Sequence, residues 1–119
     1  MMRILHVLDH SLPLHSGYAF RTRAILTAQL ASGLDVRGIT GLRHSETGPD
    51  VETCDGLSFH RTRGSATGPA GMREMREIGA LADAIMALAR HWRPDVLHAH
   101  SPALCGLAAE RAGRKLGIP

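Results

Sequence analysis

Aromatic residues are almost missing: one Trp, one Tyr and two Phe make up 3% of the 119 residues. That removes the stacking platform on which single-stranded nucleic acids are held, so no nucleic-acid partner is expected. Cysteine is nearly as scarce. Cys54 and Cys105 stand alone, without a C-x-x-C pair, which argues against a disulfide framework or a thiolate metal site and fits a reducing cytoplasm. Lysine occurs once, at Lys115, and the net charge of +3 rests on arginines scattered along the chain rather than on a basic stripe. The opening Met-Met-Arg-Ile-Leu-His-Val-Leu-Asp-His is too short in its apolar part for a signal peptide or membrane span. Any membrane contact is therefore expected to be peripheral. The dinucleotide pattern G-x-G-x-x-G and the P-loop pattern are both lacking, and the end of the second strand, Thr40-Gly-Leu-Arg43, has no acid for a ribose hydroxyl. A nicotinamide dehydrogenase is thereby disfavoured, while phosphate-bearing small molecules stay open as ligands.

What is present is an alternation of strand and helix. With 44% hydrophobic residues the chain can bury a core and is one small domain or part of one. Residues 3–8 are a strand of Ile, Leu and Val, and residues 9–17 are its C-terminal loop. A helix follows over residues 20–32, with Ile25, Leu26, Ala28, Leu30 and Ala31 as its apolar face and Gly33 as C-cap. Residues 35–40 are a second strand and residues 41–50 a loop. Residues 51–61 read either as a small hairpin turning at Asp55-Gly56 or as a third strand with a lead-in. The Gly-, Ser- and Pro-containing residues 63–71 form the most mobile loop. A helix over residues 72–92 lays Met75, Ile78, Leu81, Ile85, Leu88 and Trp92 on the sheet. A strand over residues 95–99 and a helix over residues 102–116 follow, with Leu104, Leu107, Ala108 and Ala112 facing inward and Gly117 as C-cap. Ile118-Pro119 begins a further strand. The order predicts a three-layer α/β, Rossmann-like parallel sheet with strand order 3-2-1-4. First and fourth strands are then neighbours where the winding reverses, and ligands bind there, at the carboxyl ends.

The chemistry concentrates in Asp95-Val-Leu-His-Ala-His-Ser-Pro102. Ser101 is placed as the N-cap of the last helix and Pro102 in its first turn. His98 and His100 share one side of the strand, but only His100 reaches its tip, where an imidazole suits general acid or base work. His98 reads as a core histidine satisfied by backbone. A metal pair is the competing reading; it needs further ligands close in sequence or a large barrel, and neither is evident, so no metal is expected. In the first loop a single glycine, Gly17, lets a ligand approach the backbone ahead of a helix N-terminus that favours phosphate. Arg21, one turn into that helix, could reach the same anion.

These residues carry a resemblance. Met2-Arg-Ile-Leu-His-Val-Leu, the Ser16-Gly17 loop, Leu30-Ala-Ser-Gly-Leu-Asp-Val-Arg-Gly-Ile-Thr40 and Arg93-Pro-Asp-Val-Leu-His-Ala-His100 are similar to the N-terminal domain of retaining glycosyltransferases of family 4, in the GT-B fold. Leu12-Pro-Leu-His-Ser-Gly-Tyr18 with Phe20-Arg21 resembles the subgroup that accompanies exosortase and exopolysaccharide clusters. The resemblance implies metal-independent transfer of a sugar from a nucleotide-diphosphate donor to a glycan or lipid-linked acceptor, in a cleft between two Rossmann-like domains. No cofactor is implied. Residues 1–119 would be the N-terminal part of the acceptor-side domain, without the donor domain. The family's loop has a pair of glycines, of which Ser16 replaces the first. His100 matches the histidine close to the transferred sugar and is the catalytic candidate; Asp9, Ser16, Gly17, Tyr18, Arg21 and Ser101 are the substrate-binding candidates. Such a fragment is expected to be cytoplasmic, in reach of the inner face of the membrane, inactive alone and prone to self-association through its open fourth strand. A non-catalytic α/β binding or interaction module is the alternative.

Overall fold

The computed structural model describes residues 1–44 and 48–119; the middle of the loop expected over residues 41–50 lies outside them. Its elements are β1 (Arg3–Leu8), α1 (Gly17–Ala31), β2 (Asp35–Thr40), β3 (Val51–Cys54), β4 (Leu57–Arg61), α2 (Met72–Ala89), β5 (Val96–Ala99) and α3 (Leu104–Leu116). The strands form one five-stranded sheet in the order β3-β4-β2-β1-β5. Of the two readings of residues 51–61, the hairpin is the one present. Asp55 and Gly56, both with positive φ, make its turn, and β4 takes the place expected of the third strand, parallel to β2. The expected order 3-2-1-4 thus needs one correction: β3 adds an antiparallel strand outside β4, so the sheet is mixed. The two residues between β3 and β4 leave no room for the crossover that parallel pairing needs, so only the antiparallel course remains.

Burial divides the strands by parity. Leu5, Val7 and Ile39 pack against α2 and α3 around Leu81, Ile85, Trp92, Cys105 and Ala108. Ile4, Leu8, Val36, Leu57 and Phe59 pack on the other face with Leu26 of α1. Three layers result. Gly38 in the middle of β2 is explained by Phe59, whose ring lies 2.7 Å from where a Cβ would stand.

The helices depart from expectation where they have one neighbour rather than two. α1 is alone on its face, so only Ala19, Thr22 and Leu26 are buried, and Leu30 of the expected apolar face is exposed together with Ala28 and Ala31. In α3 Leu107 is exposed, not inward; the helix settles on the sheet through small residues, Ala108, Ala109, Ala112 and Gly113. In α2 Met75 is exposed on the first turns, while Trp92 is buried just past the helix end, its amide donating to the Leu88 carbonyl at 2.9 Å. Past Gly117, a left-handed C-cap as expected, the chain returns to β5, where the Leu97 N–H donates to the Pro119 carbonyl at 2.8 Å.

Candidate functional site

β1 and β5 run parallel in register, with His6 opposite His98 and Val7 opposite Ala99. The His100 N–H extends that ladder by donating to the Val7 carbonyl at 3.0 Å. The loop after β1 and the tip of β5 therefore share one edge of the sheet, and a contact crosses between them: the buried Cys105 thiol of α3 donates to Asp9 Oδ1 at 3.4 Å. Burial and the Asp9 carboxylate push that thiol up to about 12, so it stays protonated.

The loop is held from several sides. Ser16 caps α1, accepting from the Ala19 N–H at 3.0 Å, and its hydroxyl also meets His10 Nε2 at 2.8 Å. Tyr18 accepts from the Asp9 N–H at 3.2 Å, and burial raises its hydroxyl to about 12. Arg21 is exposed and lies over the Tyr18 ring, 5.5 Å from its centroid. Gly17 is exposed, with nothing within 4 Å of where its Cβ would be, so the space above the first turn of α1 is open. Arg61, which nothing in its sequence spacing marked, braces the loop from beneath. Its guanidinium donates to Ser11 Oγ and to the Leu12 carbonyl, both at 2.7 Å, while paired with Glu52.

Ser101 does not cap α3. The residues between Ala99 and Leu104 form a turn, the N-cap position falls on Ala103, and the Ser101 carbonyl accepts from the Gly106 N–H at 3.0 Å. Pro102, placed there as a helical residue, is part of the same turn. The tip of β5 is thus an irregular corner before α3, and Ser101 is half-buried in it.

The histidines also rearrange relative to expectation. His98, read as a core residue, is exposed; the core histidine is His6, with no accessible surface. His6 lies in a hydrogen-bonded row. Its Nε2 meets Gln29 Oε1 of α1 at 2.7 Å, and its Nδ1 meets His100 Nε2, also at 2.7 Å. Because a carbonyl oxygen only accepts, His6 must donate from Nε2 and accept at Nδ1. His100 then donates from Nε2, which leaves its Nδ1 as a free acceptor. Burial lowers both imidazoles to about 4. At neutral pH His100 is accordingly uncharged and offers an acceptor rather than an acidic proton, which narrows the general acid or base role expected of it. His6 and Gln29 are separated from His100 by most of the chain, so no local motif could have announced them; only the pairing of β1 with β5 makes the row.

Asp9, Ser16, Gly17, Tyr18, Arg21, His100 and Ser101 thus lie along one sheet edge, the first five on the β1 loop and α1, the last two at the corner after β5. Among the described residues no helix is long and apolar enough to cross a membrane.

No curated protein sequence matches the chain significantly. A protein-family profile described as a glycosyl transferase 4-like domain matches residues 16–119, which take in α1, the whole sheet except β1, and the His100 corner. The three-layer α/β sheet and this match over most of the chain agree, and the protein belongs to the glycosyl transferase 4-like domain family.

Proposed function

We propose that these residues form the acceptor-side part of a retaining glycosyltransferase. It moves a sugar from a nucleotide-diphosphate donor to a glycan or lipid-linked acceptor, in a cleft closed by a second Rossmann-like domain that carries most of the donor contacts. The observation that supports this best is the Gln29–His6–His100 row, which fixes the tautomer of a neutral imidazole at the carboxyl edge of the sheet. A pre-set acceptor of this kind orients a hydroxyl of the transferred sugar without spending energy on reorganisation during the reaction.

The leaving diphosphate is met by amides rather than by a metal. The first-turn N–H groups of α1 at Gly17 and Tyr18 have no intrahelical partners by the geometry of a helix start, and the open space over Gly17 lets phosphate oxygens come close. Arg21 supplies a mobile positive charge from the same turn. Asp9 and Ser101 line the edge between the two, where an acceptor hydroxyl would approach. A lipid-linked acceptor would be met peripherally, at the inner face of the membrane. The Leu12 to Tyr18 loop and Phe20-Arg21 favour exopolysaccharide assembly as the setting.

The test is His100→Ala in the enzyme that carries this domain. Transfer from nucleotide sugar should fall by about 10²–10³-fold with the circular dichroism spectrum unchanged. An unchanged rate would take His100 out of the reaction and favour a binding module without chemistry.

A further inference from the structure

His98 has no task in the transferase reading, yet it is placed with care by the fold. It stands directly opposite His6 in the β1–β5 register, and its ring stacks on His100 at 4.3 Å between centroids, inclined by 16°. The His6 and His98 rings are 5.1 Å apart. One nitrogen from each of the three imidazoles falls within a span of 4.8 Å. The trio runs from a fully buried ring through a half-buried one to an exposed one. Among the described residues, no carboxylate, lysine or arginine is hydrogen-bonded to the three rings.

We infer that His6, His98 and His100 form a three-imidazole site for a divalent transition metal of the Zn²⁺ type, open to solvent on the His98 side. Three neutral nitrogen ligands with a fourth position left to water is a set that Zn²⁺ accepts, at Zn–N distances of about 2.0–2.1 Å. The metal takes the place of the proton now shared by His6 Nδ1 and His100 Nε2, and that proton moves to His100 Nδ1, so each ring stays neutral. Tetrahedral coordination sets ligand nitrogens about 3.3 Å apart. The two nitrogens, at 2.7 Å, need only separate slightly, and His98 closes in from solvent by side-chain rotation. The second shell is already in place: Gln29 Oε1 holds the far N–H of His6, the arrangement that fixes tautomer and ring orientation in metal-bound histidines. Occupancy would withdraw His100 from substrate, an inhibitory consequence that alone rests on the transferase reading. The site itself rests on no part of the transferase reading.

Zn²⁺ titration of the chain against a chromophoric chelator, without any sugar nucleotide, tests it. One ion should bind per chain, and His98→Ala should weaken it by about 10-fold or more; Gln29→Leu should weaken it by about 10–100-fold. His98 is exposed, so its replacement leaves the fold intact, and circular dichroism verifies this. His15→Ala and His91→Ala, at exposed histidines elsewhere, should leave the affinity unchanged. Co²⁺ in place of Zn²⁺ should give the visible absorption of a low-coordinate nitrogen site. Binding by His98→Ala equal to that of the unaltered chain, or loss of binding in the His15 or His91 variants instead, would overturn the inference.

Discussion

Removing Arg61 should unfasten the first loop and cost much of the domain's stability. Its side chain is 2% exposed and paired with Glu52 at 2.8 Å. It also donates to Ser11 Oγ and the Leu12 carbonyl at 2.7 Å and to Thr40 Oγ1 at 3.3 Å. Truncation to Ala strands a carboxylate and a carbonyl in a space that water enters poorly. Breaking a buried pair from one side costs about 3–5 kcal/mol, against a total of roughly 5–15 kcal/mol for a domain. An unfolding entropy of about 2.1 cal/mol/K per residue gives roughly 0.25 kcal/mol/K over this length, so Arg61→Ala should lower Tm by about 12–20 °C. Lys at the same position should recover little, since one ammonium cannot serve Glu52, Ser11 and Leu12 at once. Calorimetry or a thermal melt followed by circular dichroism decides the matter. A drop of less than about 4 °C, or near-complete rescue by Lys, would refute the idea that this guanidinium holds the loop.

Acid should destabilise the fold well before its carboxylates titrate. Burial lowers His6, His44 and His100 to about 4, so the unfolded chain, with imidazoles near 6.5, takes up protons first. Their contribution is fully present above about pH 6.5 and declines as the pH falls toward 4, with His6 alone accounting for about 3 kcal/mol; urea melts that agree at pH 7 and pH 5 would contradict this. Gly113→Ala should destabilise by about 1–3 kcal/mol, because the added Cβ would lie 2.5 Å from the Ile118 carbonyl oxygen, which is backbone and cannot swing aside; a melt unchanged from wild type would show that the 113–118 turn yields freely. A polypeptide of these 119 residues should self-associate at micromolar concentration, since β5 pairs only with β1 among the described strands and its outer side is met by the returning chain through the Leu97 to Pro119 bond, not by a strand. A cleft of about 670 Å³ beside it is lined by Leu97, Ala99, Gly106, Gly113 and Ile118. Light scattering that reports a monomer would defeat this edge argument.

β1 and β5 were legible because they are short, mostly apolar runs set off by Pro and Asp, and buried strands of a parallel sheet read in that way. The α2 stripe was legible for the same kind of reason, a period that matches the helix. What could not be read was how many neighbours each helix has. Leu30 and Leu107 are as apolar as Leu26 and Leu81, and only their places in the layers leave the first two exposed. The hairpin at Asp55-Gly56 was visible as a turn, but the direction of β3 and its position outside β4 depend on sheet assembly. Ser101-Pro102 carries the local signature of a helix start, yet the chain needs those residues to turn the corner from β5, and the corner prevailed. Of the residues gathered at this edge, His100 and the Ser16-Gly17 loop were placed there from their positions at element ends. His6, Gln29 and Arg61 were not, since each acts across a contact whose partner lies far away in sequence.

The place of β1 between β2 and β5 carries a consequence for the order in which the molecule comes together. Its inner neighbour β2 follows at once, but the partner on its other side is among the last segments to be made: His6 and His100 are 94 residues apart. On a ribosome adding about 5–20 residues per second, β1 waits roughly 5–19 s with one flank unpaired. Closing so long a loop also makes the β1–β5 seam the slow, non-local part of folding for the free chain. During that wait His6 can be shielded by Gln29, which is made early and sits on the first helix, but His98 and His100 arrive only with β5. The His100 corner is therefore the last part of this edge to be completed, when the fifth strand comes into register and the three histidines meet.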